Sequence, residues 1–344
     1  MMTDERLEPA KPFVARRQPN ADVSVLVPAK DEADNLIPFM ELAAEAFASD
    51  PGTRYEVVVI DDGSVDDSWE LLLRLQTQYA FLTAVRHRTR RGIADALRTG
   101  YLNSSGAVLV FYPADLQFKP EDIPSLVAPI LAGDSDMVTG YKQGTYEKAF
   151  VSSIYNRLSR TLFHVPVRDL NNVKAYRREI MASLPMRPDF HRYMIVLAAA
   201  QGYTVSEVPI PLYPRHSGRS KFGLSRIPIG VLDMLAVWFE LRFGQKPLLA
   251  FGMAGAAIFL IGLLAGLVAL GVLVFGGVGL RAVWTVIQTC LLLGAMFFST
   301  GILGEQIAQQ RAEMREIRRE LELQHARHQS SDAGADLSAP RDNG

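Results

Sequence analysis

The chain has 344 residues, with 36 basic and 37 acidic side chains and a net charge of −1. That balance gives no basic excess and excludes nucleic acid as an expected partner. The one cysteine, Cys290, excludes an internal disulfide and fits a reducing compartment. Neither a Gly-x-Gly-x-x-Gly turn nor a Gly-Lys-Ser/Thr loop occurs, so a dinucleotide fold and a P-loop ATPase both lack support.

In chain order, residues 1–21 are charged, contain proline and have no apolar stretch; a flexible N-terminus without a signal peptide is expected. Residues 23–27 form a β-branched and leucine run ended by Pro28, and 56–60 form another, ended by Asp61-Asp62-Gly63-Ser64. The helical apolar spacing of 34–48 between them makes a β-α-β unit with parallel strands. Asp66 or Asp67 can cap a helix over 68–79. A short strand at 83–86, a helix at 94–103 and a strand at 108–112 follow, so an open α/β sheet is predicted. Ligands of such sheets sit beyond the carboxyl ends of the strands.

Asp31, Glu32, Asp61, Asp62, Asp115 and Gln117 all fall at that edge. Clustered carboxylates repel unless a cation or hydrogen-bonding ligand is present. A nucleotide with a divalent metal supplies both: Asp61 or Asp62 could accept hydrogen bonds from a base or ribose. Asp115 and Gln117 stand two positions apart on a chain expected to be extended, point to the same side, and could share one cation. The bland alternative is that these acids simply form turns between strands and helices.

Residues 225–246 mix apolar stretches with Arg226, Asp233, Glu240 and Arg242 and include Trp238 and Phe239, which suits either an amphipathic juxtamembrane helix or a core helix. Residues 247–275 carry no Asp, Glu, Lys or Arg over 29 positions, and 282–304 repeat this over 23. Each is long enough to cross a bilayer, and the short connection between them predicts a two-helix transmembrane hairpin. Arg242 and Lys246 before it and Arg311, Arg315, Arg318 and Arg319 after it place the soluble domain and both termini in the cytoplasm. Cys290 is expected to be a small packing residue within the second span. The small residues Gly262, Ala265 and Gly266 could let a second copy pack closely, giving a homo-oligomer. Residues 305–344 read as a charged helix followed by a disordered tail from about 330.

Five segments, in order and spacing, resemble the family-two glycosyltransferases, and more closely the polyprenyl-phosphate glycosyltransferases of the dolichol-phosphate mannose synthase kind. They are Val27-Pro28-Ala29-Lys30-Asp31-Glu32, Val59-Ile60-Asp61-Asp62-Gly63-Ser64-Val65-Asp66, Ala114-Asp115-Leu116-Gln117, Glu207-Val208-Pro209-Ile210 and Arg215-His216-Ser217-Gly218-Arg219-Ser220-Lys221. The resemblance covers about 22–225. It implies a glycosyltransferase-A (nucleotide-diphospho-sugar transferase) fold over 22–224 and a UDP- or GDP-linked sugar donor. Mg²⁺ or Mn²⁺ would sit on Asp115 and Gln117, and the acceptor would be a polyprenyl phosphate, undecaprenyl or dolichyl.

By the same resemblance the donor is held by Pro28, Ala29, Asp31, Glu32, Asp61, Asp62, Ala114 and Asp115, with Arg215, Arg219, Ser220 and Lys221 on its phosphates. Lys142, Lys148 and Ser152 are candidates for the acceptor phosphate, with Arg157 and Arg160 nearby. The catalytic set is Asp115, Gln117, Arg215, Lys221 and Asp169. An acceptor phosphate is already ionised at neutral pH, so no strong base is required, and a single displacement inverts the anomeric centre. Two positions depart from the family pattern: Pro113 stands where the first motif aspartate is usual, and Asp31 where asparagine is usual. A processive polysaccharide synthase is not supported, because no Gln-x-x-Arg-Trp motif occurs. Two alternatives stay open: transfer to a neutral lipid, with Asp169 as general base, and a non-catalytic nucleotide-binding membrane scaffold, with Pro113 as the lesion.

Overall fold

The computed structural model describes residues 13–14, 20–143, 161–163, 165, 167–170, 172–184, 190–214, 227–244, 246–276 and 281–337. They fall into two compact units, Met1–Met234 and Leu235–Gly344.

The first unit is built on an eight-stranded sheet: β1 (Phe13–Val14), β2 (Val23–Ala29), β3 (Tyr55–Asp61), β4 (Leu82–Arg86), β5 (Val108–Phe111), β6 (Met137–Gln143), β7 (Lys174–Arg177) and β8 (Val205–Pro211), in spatial order β1-β4-β3-β2-β5-β7-β6-β8. The four central strands β4, β3, β2 and β5 run parallel, as the alternation of strand and helix predicts. β3 is buried at every position, which is why these strands read as unbroken apolar runs instead of alternating ones. The crossover helices are α1 (Ala33–Ala48), α2 (Ser68–Gln78) and α3 (Ile93–Leu102). α1 buries Leu36, Phe39, Met40 and Ala43, the i, i+3, i+4, i+7 stripe of a helix lying on a sheet. Beyond β5 the sheet becomes mixed: α4 (Ile123–Leu131) leads to β6, β7 is antiparallel to both β5 and β6, and β8 is parallel to β6. Two short helices, α5 (Arg178–Ser183) and α6 (Met194–Ala200), lie between β7 and β8.

Three local expectations change. The N-terminal segment is not wholly flexible, since Phe13–Val14 pairs antiparallel with Val85 and Arg86 and covers the sheet edge. Asp67 occupies the cap position of α2 but makes no capping bond; its neighbour Asp66 accepts the Ser68 N–H at 3.1 Å instead. The chain at 115–117 is not extended: it is a turn in which Leu116 has φ +56°.

α7 (Ile227–Phe243) was expected to be amphipathic. It buries Gly230, Met234 and Val237, yet leaves Leu232, Leu235 and Leu241 exposed, so apolar residues occupy more than one face. Farther on, a π-helical turn, Leu248–Gly252, opens α8 (Met253–Gly276), and α9 runs over Arg281–Leu337. The stretches Leu248–Phe275 and Val283–Met314 are long and apolar enough to cross a membrane, and only 11 % and 17 % of their apolar windows are buried. Core helices of a soluble domain would be mostly covered, so these are candidate membrane spans. α9 stays helical seven residues beyond 330, past the point where a disordered tail was expected; the Glu, Arg, Gln and Ala content of 305–329 favours helix.

The two spans meet through glycines. A Cβ on Gly255 would lie 2.6 Å from both the Gly294 carbonyl oxygen and the Phe298 nitrogen, and one on Gly262 would lie 2.8 Å from Cys290 Cβ. Gly266 likewise faces Ile287. Gly262 and Gly266 are therefore used within the hairpin, and of the three small residues only Ala265 stays exposed. Cys290 is a free, half-buried packing residue opposite Gly262.

Candidate active site

The carboxyl ends of β2 and β3 are tied to each other by their own loops. Asp31 takes a left-handed conformation, φ +53°, tolerable for Asp because its short side chain bonds locally. Its N–H donates to Ser64 Oγ at 2.9 Å and its Oδ1 accepts the Val65 N–H at 2.9 Å. Lys30 Nζ bridges Asp31 at 3.0 Å and the Gly63 carbonyl at 3.1 Å. The Glu32 N–H donates to Ser68 Oγ at 3.0 Å, and its carboxylate accepts Asn35 Nδ2 at 2.6 Å. Pro28 and Ala29 lie in register with Ile60 and Asp61 on β3. The first two motifs thus form one clamp.

Asp61 and Asp62 face inward. Asp61 is fully buried, accepts the Ser64 N–H at 2.8 Å and pairs with Arg86 Nε at 3.1 Å. Arg86 in turn stacks on Trp69, 5.4 Å from the ring centroid. Asp62 Oδ1 accepts from His87 Nδ1 and from the Arg91 N–H, each at 2.8 Å, and Oδ2 accepts the Gly92 N–H at 2.8 Å. The other His87 nitrogen, Nε2, lies 2.9 Å from Thr99 Oγ1, and the ring is buried. Because Asp62 is an acceptor, Nδ1 carries the proton. Burial alone would raise the Asp62 carboxyl, but the bonds from His87 and the two amides outweigh it and hold it below 3.8. In this structure Asp62 pins the loop 87–92. Gly63, at φ +72°, lets that loop lie close: a Cβ there would sit 2.9 Å from Arg90 N and Thr89 C.

At the end of β5, Asp115 and Gln117 are partly exposed while Ala114, Leu116 and Phe118 are buried. The turn is closed by the Gln117 N–H donating to Asp115 Oδ1 at 3.2 Å. Both side chains offer hard oxygen ligands of the kind Mg²⁺ and Mn²⁺ take, and among the described residues no group of three or more His, Cys, Asp or Glu could hold a metal. Two protein oxygens with the remainder from substrate phosphates and water is how Mg²⁺ is usually held at phosphate-transfer sites. The donor set therefore fits a divalent cation bound together with a diphosphate.

The Gln117 carbonyl accepts the Tyr213 N–H at 2.9 Å, and Lys119 Nζ lies 4.3 Å from the Tyr213 ring centroid. The chain after β8 is thereby fastened to the 115–117 turn at Tyr213, two residues before Arg215. Arg215, Arg219, Ser220 and Lys221 themselves, and Lys148, Ser152, Arg157 and Arg160, lie outside the described residues.

Lys142, near the end of β6, pairs with Asp169 at 3.1 Å, both largely buried. Glu207 of the fourth motif holds the same segment, accepting the Arg168 N–H. Lys174 on β7 is fully buried, donates to the carbonyls of His191 at 3.0 Å and Leu170 at 3.3 Å, and lies under the Phe111 ring. Burial lowers its pKa to about 7, against the opposing pull of Asp169. Burial also takes His191 down to about 3, with Lys174 and Arg192 adding to the effect. Lys174, His87 and Thr99 were not singled out in the sequence. Only the fold shows what each of them touches.

A mixed sheet whose central strands run parallel, with an Asp-x-Gln turn beyond the end of β5, has the glycosyltransferase-A fold. Residues 24–181 match the family described as Glycosyl transferase family 2, so the chain carries a domain of that family and is a glycosyltransferase. A dodecaprenyl-phosphate galacturonate synthase from Rhizobium johnstonii is 27 % identical over 300 residues, covering 83 % of this chain and 88 % of that protein. An undecaprenyl-phosphate 4-deoxy-4-formamido-L-arabinose transferase from Klebsiella pneumoniae is 28 % identical over 299 residues, 84 % of this chain and 89 % of that one. Among solved structures, glucosyl-3-phosphoglycerate synthase from Mycobacterium tuberculosis, in complex with Mn²⁺, UDP and glucosyl-3-phosphoglycerate, aligns with a TM-score of 0.51 at 20 % identity. That alignment covers 63 % of this chain and 80 % of the other and is a likeness of fold.

Proposed function

We propose that the chain transfers a sugar, with inversion, from a nucleoside diphosphate sugar to a polyprenyl phosphate at the cytoplasmic face of a membrane. The observation that carries this reading is the bond between Tyr213 and the Gln117 carbonyl. It brings Tyr213, two residues before the basic segment 215–221, to the 115–117 turn, which supports a diphosphate shared by those cations and the Asp115–Gln117 pair. A divalent cation bound there would neutralise charge on the departing diphosphate. Asp115 and Gln117 would hold it, and Arg215, Arg219 and Lys221 would take the remaining phosphate oxygens. Asp31, Glu32 and the clamp around Ser64 would form the nucleoside wall. Lys142, oriented by Asp169, would meet the acceptor phosphate, with Lys148 and Ser152. The acceptor oxygen is anionic and attacks without losing a proton, which is why the site can do without a strong base.

The relatives named above, both polyprenyl-phosphate transferases matched over most of their length, support the acceptor class. The two candidate spans support a membrane-held enzyme, and the arginines after the second span support a cytoplasmic domain. A neutral acceptor is disfavoured because Asp169 is already engaged by the Lys142 ammonium and would have to leave it to take a hydroxyl proton. The test is transfer of radiolabelled sugar from UDP- and GDP-sugars to undecaprenyl or dolichyl phosphate in detergent, with Mg²⁺, Mn²⁺ or EDTA. Metal-dependent lipid-linked product that is lost in Asp115→Ala is expected. Transfer only to diacylglycerol, or none from any donor, overturns the reading.

A further inference from the structure

The fully buried Lys174 has no task in the transfer chemistry above. It stands on β7, paired with Phe111 of β5 on one side and Thr139 of β6 on the other. Its ammonium donates to the carbonyl of Leu170, the residue after Asp169, at 3.3 Å and to that of His191 at 3.0 Å. The segment it grips is held at two further points: Glu207 of β8 accepts the Arg168 N–H, and Asn172 Nδ2 donates to the Gly140 carbonyl of β6. Asp169, in the middle of that segment, pairs with Lys142 at 3.1 Å. Two neutral N–H groups would satisfy the same carbonyls at far less desolvation cost. What the ammonium adds is charge. Among the described residues the carboxylate that acts on that charge is Asp169, with Arg192 and Lys142 opposing it. A carboxylate that answers two ammonium groups neutralises neither of them fully.

We propose that Lys174 is a positioning residue for the acceptor: it fixes the backbone that carries Asp169 and shares that carboxylate with Lys142, so that Lys142 is oriented by Asp169 yet keeps positive charge for the acceptor phosphate. The proposal rests on the function read above and adds a residue that never touches substrate. Burial brings the Lys174 pKa to about 7 against the pull of Asp169, so the sharing is complete below that value and fades as pH rises through it. The other groups facing Lys174 are steady over this range: His191, taken down to about 3, is neutral, Arg192 and Lys142 are cations, and the Phe111 ring covers the ammonium.

The experiment uses the full chain in detergent micelles. KM for undecaprenyl phosphate and for the nucleotide sugar is measured per folded molecule, and Kd for geranyl phosphate is measured by calorimetry without turnover. At about pH 6, Lys174→Met should raise the acceptor KM and the geranyl phosphate Kd about fivefold and leave the donor KM unchanged. At about pH 9, where the wild-type lysine is neutral, the ratio between the two proteins should fall towards one. The ionisation of the phosphate itself moves both proteins alike and cancels in that ratio. A lysine that only supports the fold gives a ratio independent of pH, or a loss shared by donor and acceptor, and either result overturns the proposal. Should Lys174→Met not fold, Lys174→Arg keeps the charge: its acceptor constants should hold up to about pH 9 while those of the wild type rise, and an equal rise in both overturns the proposal. If the wild type transfers no sugar to undecaprenyl phosphate, the function read above fails and the geranyl phosphate titrations decide the role of Lys174: the same pH-dependent ratio supports it, and absence of binding overturns it.

Discussion

Asp62 separates an anchor from a ligand contact. Its carboxylate receives three donors, His87 Nδ1 and the Arg91 and Gly92 amides, all at 2.8 Å and all at a buried position. In Asp62→Asn one oxygen can keep His87 and Arg91, as neutral instead of charge-assisted bonds, while the amide nitrogen faces the Gly92 N–H and leaves it unpaired. An unsatisfied buried donor costs about 1–3 kcal/mol, and the loss of charge assistance adds about 1 kcal/mol, so a total of about 2–4 kcal/mol is expected. At about 2–4 °C per kcal/mol for a domain of this size, Tm should fall by about 5–15 °C. The assay is thermal melting of the full chain in detergent, read beside donor KM. The carboxylate's lowered pKa fixes the pH window: its contribution is complete above the ordinary value of 3.8 and disappears as pH falls through the lower folded value. A Tm unchanged within about 2 °C, together with a raised donor KM, would refute the anchoring role and make Asp62 a nucleotide ligand.

Glu56 does comparable work at the opposite, amino-terminal edge of the sheet, accepting Ser24 Oγ and the Ser105 N–H at 2.6 Å each and Gly106 N at 3.3 Å. Glu56→Ala should cost about 1–3 kcal/mol by orphaning the Ser105 N–H, while the Gly106 N–H keeps Ser24 Oγ at 2.7 Å, with kcat of the remaining folded enzyme unchanged; a denaturant melt and a rate per folded molecule check both halves. Lys174 binds its proton more weakly folded, at about 7, than unfolded, at 10.5, so between these values the unfolded chain holds more protons and stability rises with pH. The slope should approach about 1.4 kcal/mol per pH unit and be absent from Lys174→Met; parallel Tm–pH curves for the two proteins would sink this account. Gly255→Leu forces a side chain against the Gly294 and Phe298 backbone and should part the spans, raising the rate at which a maleimide labels Cys290 severalfold; an unchanged rate would show that the hairpin does not depend on that contact.

The parallel half of the fold is legible in the sequence because its signals are local. Val23 to Val27 and Val57 to Ile60 are apolar on both faces, and the helices between them carry a 3.6-residue stripe. The mixed half is not legible, since β7 inserts between β5 and β6 through long-range pairings that leave no periodic mark on four residues, Lys174–Arg177. The acids of the site were visible as a group, but their roles divide by a difference of direction. Asp61 and Asp62 sit on adjacent positions, yet both are absorbed by partners on β4 and the loop after it. A histidine at 87 and a threonine at 99 become partners only once α3 is laid against β3.

Among the described residues, two of the three non-glycine residues with positive φ, Asp31 and Leu116, fall at the proposed donor edge, in the loops after β2 and β5. Strained backbone persists where its surroundings over-determine it, and here the surroundings are visible: Ser64 and Val65 hold Asp31, while burial of Leu116 holds the turn that exposes Asp115 and Gln117. This gives a physical setting for Pro113. The ring fixes φ just before the strained turn and limits the conformations open to the unfolded chain, so it supports the geometry of Asp115 and Gln117 while supplying no carboxylate of its own. A site assembled this way, if it holds the proposed cation, would rely on the substrate's phosphates, more than on a ring of protein acids, to complete its coordination. Metal and donor should then bind cooperatively, each weakly alone.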